Sequence, residues 1–285
     1  MLNEIKKRVR LTIEQQLNIT ARYTAGETPD AIADSLGICA NNVRGALLKH
    51  GVVARSRSEA RTRFPHWKEA FDNITPEAAY WIGFLFADGS VSQSGAGSAS
   101  LHVGLAARDR GHLEKLRTFL KSEHTICDKL VVLRGKTHPQ VHYALRSTPV
   151  TDALRRHGMC NKSLDRVAPE HLINSRDFWR GMVDGDGFVN VDEDKKPKIG
   201  LYGGETIVTQ FLEYLRRMGI ARTTEVHRHS SSGVDDAVIR PGKIFKVELV
   251  CEPALAAAYL LYKDPCVALD RKFEPLKEIV ASRSA

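Results

Sequence analysis

The chain has 285 residues and a mass of 31.7 kDa, enough for about two domains with buried cores. Its 42 % hydrophobic and 27 % charged residues exclude a mostly disordered chain, and no apolar run reaches the roughly 18–20 residues of a membrane span. The formal charge is +8 and uneven: residues 1–63 hold eleven basic and six acidic groups, while residues 175–285 hold seventeen of each. A basic excess at one end favours a polyanion, nucleic acid foremost, as partner. The charged N-terminal residues lead into no apolar stretch, so a secretory signal is not expected. The cysteines at 39, 127, 160, 251 and 266 form no CxxC pair. That predicts free, mostly buried thiols, no cysteine-bound zinc, and a reducing cytoplasmic or organellar setting.

Residues 12–50 predict three short helices. Thr12 and Gln15 form a capping-box pattern, with Ile13, Leu17 and Ala21 following at helical spacing. Thr28 and Pro29 start a second helix, with Ile32, Ala33 and Leu36 as its apolar face and Gly37 as its stop. A third spans about Ala40 to His50 on Val43, Leu47 and Leu48. The tight turn between the last two resembles a helix-turn-helix, in which the later helix enters the major groove. Asn41, Asn42 and Arg44 then stand near its leading end, residue types suited to adenine and guanine edges. The polar, basic stretch 55–75 is expected to be a linker, leaving 1–54 as the helical module.

Two later segments match each other. One runs from Ala79 to Val91 and the other from Asp177 to Val189; aligned on Trp81 and Trp179, they share W-x-G-x-x-x-[AG]-D-G-x-V at an offset of 98. A strand, a helix, two strands and a final helix are expected after each. Gly83 with Ala87, and Gly181 with Gly185, put small residues on one face of each motif helix, so the two helices are expected to pair backbone to backbone. Each helix ends in Asp-Gly, at Asp88 and Asp186, with Gly as the helix cap. A carboxylate at the negative end of a helix dipole, beside a second one, calls for a compensating cation. A hard divalent ion, Mg2+ with Mn2+ as substitute, suits such a site.

The motifs WIGFLFADG and WRGMVDGDG resemble the paired LAGLIDADG motifs of the homing endonuclease family, and the resemblance covers residue 76 to the C-terminus. It implies an α+β fold: duplicated αββαββα repeats, here 76–174 and 175–285, whose antiparallel sheets form a saddle over DNA, preceded by the small all-α module. It implies a divalent-metal double-strand DNA endonuclease acting as a monomer on a long, non-palindromic target, with staggered cuts. Asp88 and Asp186 correspond to the family's metal-binding acids, helped by the carbonyls of Ala87 and Gly185. Lys162 and Lys272, with Arg271 as alternate, correspond to a lysine near the metals. The leading leucine is Trp in both copies, and Phe86 stands where Asp184 keeps the more variable acid.

Several segments alternate with period two, as half-buried antiparallel strands do. Their polar faces offer His102, then His142 with Arg146, then Lys198 with Tyr202, then His227 and Lys246 as DNA contacts. His227 and His229 could form a metal pair, but no third ligand is evident in the sequence, so a DNA contact is the favoured reading. Two alternatives remain open: a transcription regulator that kept the fold without cleavage, and an RNA maturase on the same scaffold. No membrane partner is expected.

Overall fold

A computed structural model describes residues 10–25, 27–53, 65–93, 99–133, 135–160, 163–193, 196–229 and 244–282. Lys162 and residues 55–64, 94–98 and 230–243 lie outside the described residues. The chain divides into two compact units, 1–63 and 64–285.

The first unit holds α1 (Ile13–Thr24), α2 (Pro29–Leu36) and α3 (Ala40–Lys49). Thr12 Oγ1 accepts from the Gln15 amide at 3.2 Å and Gln15 Oε1 accepts from the Thr12 amide at 2.9 Å, so the capping box is formed. Thr28 caps α2, and Gly37 ends it in the left-handed region at φ 65°. The buried faces differ from the expectation. Ile19 and Tyr23 carry α1 into the core, whereas Ile13 and Leu17 are exposed; on α3 Val43, Ala46 and Leu47 are buried and Leu48 is 81 % exposed. Three short helices enclose a small core with room for one stripe each, and the second apolar stripe is left outside.

The second unit repeats one order of elements. Helix α4 (Pro76–Asp88) runs into β1 (Gly89–Gln93), followed by β2 (Ala99–Ala106), α5 (Arg110–Phe119), β3 (Cys127–Leu133), β4 (Lys136–Arg146) and α6 (Thr148–Arg156). Helix α7 (Arg176–Asp186) then runs into β5 (Gly187–Val191), β6 (Pro197–Gly203), α8 (Glu205–Arg217), β7 (His227–Arg228), β8 (Phe245–Leu249) and α9 (Cys251–Tyr262). The tail adds α10 (Asp270–Phe273) and α11 (Lys277–Ser282). The strand orders are β1-β2-β4-β3 and β5-β6-β8-β7, all neighbours antiparallel. The duplicated αββαββα architecture is therefore present. Two strands follow each motif helix where the sequence suggested one, because β1 and β5 continue directly from the helix without a turn signal.

Residues 65–75, expected as linker, instead seal the core. Phe71 is fully buried, the rings of Trp67 and Phe71 pack on Phe119 at 5.8 and 5.5 Å, and the Trp67 amide donates to Leu120 O at 2.7 Å. Their aromatic content outweighs the charges around them. The cysteines also depart from expectation: all five are free, but four are exposed and Cys39 is half-buried.

Helices α4 and α7 pack side by side and parallel, in register at the repeat offset. A Cβ on Gly83 would land on the Phe178 carbonyl, one on Gly181 on the Tyr80 carbonyl, and one on Gly185 on the Ala87 methyl. The backbones touch, as the small residues predicted. Gly89 and Gly187 are the helix caps, as expected, with φ at −91° and −92°, ordinary extended backbone. Their small size is what matters, since a Cβ on Gly89 would sit 2.7 Å from Leu85 O and one on Gly187 2.5 Å from Gly200 O.

Substituting Gly83→Ala should cost about 1–3 kcal/mol in urea denaturation, because overpacking must push the paired backbones apart. Gly45→Ala in α3, where the new methyl meets nothing within 4 Å, should instead stabilise its unit by roughly 0.5–1 kcal/mol.

Candidate functional site

Because α4 and α7 run parallel, both end at the same edge of the seam, and Asp88 and Asp186 are the last residues of the two helices. Asp88 Oδ2 lies 3.4 Å from where a Gly185 Cβ would stand, so its carboxylate hangs over the other helix. Burial raises the Asp88 carboxyl to about 7, and the charge of Asp186 adds to the rise. Burial likewise raises Asp186 to about 6, against the pull of Arg166 and Lys272. The sequence pointed to dipole and mutual repulsion as the strain on these acids; desolvation is the larger cause here.

Two cations close the helix ends, one in each repeat. Lys272 is 2 % exposed, and its ammonium donates to the carbonyls of Val183 at 2.8 Å, Asp184 at 2.7 Å and Gly187 at 2.7 Å, with Gly185 further off at 3.4 Å. Burial lowers its pKa to about 8. Arg166, which sequence reasoning missed, does the same for α4. Its guanidinium donates to Phe86 O, to Gly89 O at 3.0 Å and to Leu85 O at 3.5 Å, and its Nε to Cys160 O at 3.0 Å. At the offset of 98, Leu85, Phe86 and Gly89 are the counterparts of Val183, Asp184 and Gly187. A faint signal existed in the sequence: Leu164, Asp165 and Arg166 recur as Leu269, Asp270 and Arg271, one residue short of Lys272. Arg271, the alternate, points elsewhere and pairs with Asp109 of the first repeat at 3.0 Å.

Asp184 is not at the surface of this site. It is 1 % exposed and accepts from Tyr262 Oη at 2.7 Å, Tyr80 Oη at 2.7 Å and the Leu269 amide at 2.8 Å. Burial raises its pKa despite these donors. Among the described residues no group of three His, Cys, Asp or Glu side chains converges. The donors at the seam are therefore two carboxylates and the carbonyls of Ala87 and Gly185, of which Arg166 and Lys272 leave Ala87 untouched. Such an oxygen-only, ligand-poor set fits a hard cation that keeps several waters.

The two sheets place the expected strand residues on their outer faces. In the first, β2 has Leu101, Val103 and Leu105 buried, and the opposite face carries Ser100, His102 and Gly104. Arg146 pairs with Ser100, and His142 with Gly104 and Cys127, so His102, His142 and Arg146 share that face; the two imidazoles lie 5.7 Å apart. In the second sheet Lys198, Tyr202, Lys246 and His227 share the face away from Ile199 and Leu201. Lys246 is paired with Glu248 at 3.0 Å, and the Tyr202 ring rests between Phe188 at 5.5 Å and His229 at 5.2 Å. In the helical unit Asn41 and Arg44 are exposed together, with Arg44 donating to Asn41 Oδ1 at 3.2 Å. Asn42 is turned back, accepting from the Cys39 thiol at 2.8 Å. Lys162 lies outside the described residues.

No protein-family model matches the chain, and no curated protein matches it significantly. Solved structures do. The homing endonuclease I-WcaI bound to its DNA recognition sequence is 13 % identical, with a TM-score of 0.49 over 72 % of this chain and 91 % of that one. The LAGLIDADG meganuclease I-AabMI bound to uncleaved DNA is 10 % identical, with a TM-score of 0.44 over 74 % and 91 %. The I-SmaMI LAGLIDADG homing endonuclease bound to cleaved DNA is 12 % identical, with a TM-score of 0.41 over 74 % and 91 %. In its paired motifs and its duplicated α+β repeat, the chain resembles the LAGLIDADG homing endonucleases. The fold itself stands on the two strand orders and the helix pair within this chain.

The raised acids give a pH dependence. An acid whose folded pKa exceeds its unfolded value makes the folded state bind more protons, so stability falls as pH rises between the two values. For Asp88 that window runs from the ordinary 3.8 to about 7. Without divalent cations, Asp88→Asn should therefore be more stable than the parent near pH 8 by about 1–4 kcal/mol, and the gap should shrink near pH 4. Urea denaturation at both pH values checks this.

Proposed function

We propose that the chain is a site-specific double-strand DNA endonuclease of the two-motif homing type, hydrolysing phosphodiester bonds with divalent cations. The observation that supports it best is the seam: two carboxylates, held in a poorly solvated edge at a cost to stability, flanked on both sides by outward strand faces rich in donors. A regulator that only binds DNA, or an RNA maturase, gives those two carboxylates no task.

Asp88 and Asp186, with the Ala87 and Gly185 carbonyls, hold the cations, with Mg2+ the natural ion and Mn2+ a substitute. A bound divalent ion supplies Lewis-acid activation of water and neutralises charge that builds on the phosphate. Asp88 serves one strand and Asp186 the other. Arg166 and Lys272 keep the helix-end carbonyls occupied and add positive potential beneath the reacting phosphates. Lys272 spends its protons on carbonyls, so its role is electrostatic rather than direct contact. The faces bearing His102, His142 and Arg146, and Lys198, Tyr202, His227 and Lys246, read the two half-sites. As the two sets differ, the target need not be palindromic. The chain acts as a monomer because both half-sites are in one polypeptide. Residues 1–54 add a helix-turn-helix contact through Asn41 and Arg44, which raises affinity by effective concentration.

With a target taken from the gene's insertion point, the parent should make double-strand breaks in Mg2+ or Mn2+. Asp88→Asn and Asp186→Asn should each lower that rate by about 100-fold or more while binding persists. Either variant cutting at the parental rate refutes the assignment.

Arg44→Ala should weaken DNA binding and flatten its salt dependence by about one unit of slope if Arg44 meets phosphate. If it reads a base edge, it should instead relax sequence preference by about 1–3 kcal/mol at one position. Unchanged affinity and preference would remove the module from the DNA interface.

A further inference from the structure

Asp184 and Phe86 occupy the same place in the two repeats, at the offset of 98. Phe86 is buried and packs edge-on against the Phe178 ring at 5.6 Å. The scaffold therefore accepts an aromatic side chain at this position. A buried carboxylate there is costly unless several donors meet it, so its presence in the second repeat needs a reason of its own.

Its partners supply one. Asp184 Oδ2 accepts from the Leu269 amide at 2.8 Å, and Leu269 is the N-cap residue of α10, the four-residue turn that carries Lys272. Oδ1 accepts from Tyr262 Oη at 2.7 Å, at the last residue of α9. Tyr80 Oη, reaching across from the first repeat, completes the set at 2.7 Å. The main-chain oxygen of the same residue receives Lys272 Nζ at 2.7 Å. Asp184, on α7, thus grips both ends of the segment between α9 and α10 that leads to Lys272. A single helical turn does not persist unaided, and a lysine stem has many rotamers, so this ammonium needs an external fixture to stay on its carbonyls. In the first repeat Arg166 brings a rigid planar fork to the corresponding carbonyls, and the Phe86 side chain offers no acceptor.

We propose that Asp184 is a positioning residue that fixes the α10 turn and so holds Lys272 over the end of α7, making the second half-site dependent on a buried carboxylate and the first half-site independent of one. The consequence for cleavage rests on the endonuclease reading; the structural claim does not.

Hydrogen exchange on the full chain, without metal or DNA, tests the structural claim. The Lys272 and Phe273 amides donate to Leu269 O at 2.9 and 3.0 Å and report the turn. In Asp184→Asn and in Tyr262→Phe, exchange of the peptide spanning 269–274 should rise about tenfold or more, while the peptide holding Arg166 stays within about twofold. Unchanged exchange in 269–274, or an equal rise in both peptides, overturns the proposal. If Asp184→Asn fails to fold, Tyr262→Phe, which keeps the ring, decides alone. Single-turnover cleavage with each strand labelled adds a second readout. Asp184→Asn should slow one strand about tenfold, leave the other within about twofold and leave DNA affinity unchanged; Asp184→Asn with Lys272→Met should be no slower than Lys272→Met alone. Equal slowing of both strands, or additive losses, refutes the route through Lys272. A parent that cuts neither strand counts against the endonuclease reading and leaves the exchange result to decide this one.

Discussion

Two helices in parallel contact at the level of their backbones set the terms for everything else in residues 64–285. The contact exists because Gly83, Gly181 and Gly185 have no Cβ to keep Phe178, Tyr80 and Ala87 away. Parallel packing puts like helix ends together, so two sets of unsatisfied carbonyls and two carboxylates share one edge. Each helix dipole makes the other's end less favourable. A fold with this geometry must supply positive charge at that edge.

It does so twice, by different chemistry. Lys272 and Arg166 each donate to carbonyls at equivalent positions of their own repeat's motif helix. Both are buried, and both hydrogen-bond almost entirely to main-chain oxygen, so their charge is left to act on Asp88 and Asp186. That charge only partly offsets desolvation: the acids still stand at about 7 and about 6. The segments carrying the cations are also tied to the opposite repeat. The Ala168 amide donates to Gln210 of α8 at 2.9 Å, while Lys115 of α5 donates to Ala268 O at 3.1 Å and pairs with Asp270 at 2.6 Å. Neither half of the seam is complete without the other.

The sequence made some of this readable and hid the rest for physical reasons. The small-residue spacing and terminal Asp-Gly pairs were legible because backbone contact and helix ends each demand few residue types. Strand faces were legible as alternation in Ser100 to Leu105 and Lys198 to Tyr202, since a half-buried sheet has period two. Arg166 was barely legible: a cation that caps a helix 77 residues away in sequence, at Gly89, leaves no local pattern, and only the recurrence of Leu164-Asp165-Arg166 at 269–271 hints at it. The burial of Asp184 was equally hidden. Its donors Tyr80, Tyr262 and Leu269 are scattered over three elements, and beside Asp186 it reads as a second acid of one motif. The exposed Ile13 and Leu17 show the converse error: helical spacing gives an apolar stripe but not whether a core exists to receive it.

The seam is also asymmetric in a way that bears on how the repeats pair. Tyr80 and Phe178 are equivalent residues, as are Phe86 and Asp184. In the observed arrangement hydroxyl meets carboxylate at 2.7 Å on one side and ring meets ring at 5.6 Å on the other. Pairing the first repeat with a second copy of itself would set Tyr80 against Phe86 on both sides, leaving each buried hydroxyl only His112 of its own repeat, at 3.0 Å, and no carboxylate. Pairing the second with itself would set Phe178 against Asp184 twice, stripping each carboxylate of a donor. A hydrogen bond to a charged group contributes about 1.5–3 kcal/mol, so each carboxylate that loses a donor weakens the like-with-like pair. The complementary swap of one polar and one apolar pair therefore favours joining unlike repeats over like ones, and unlike repeats present two different strand faces. Divergence at the seam and divergence at the outer faces are in this sense linked: the first keeps together the two halves that the second makes different.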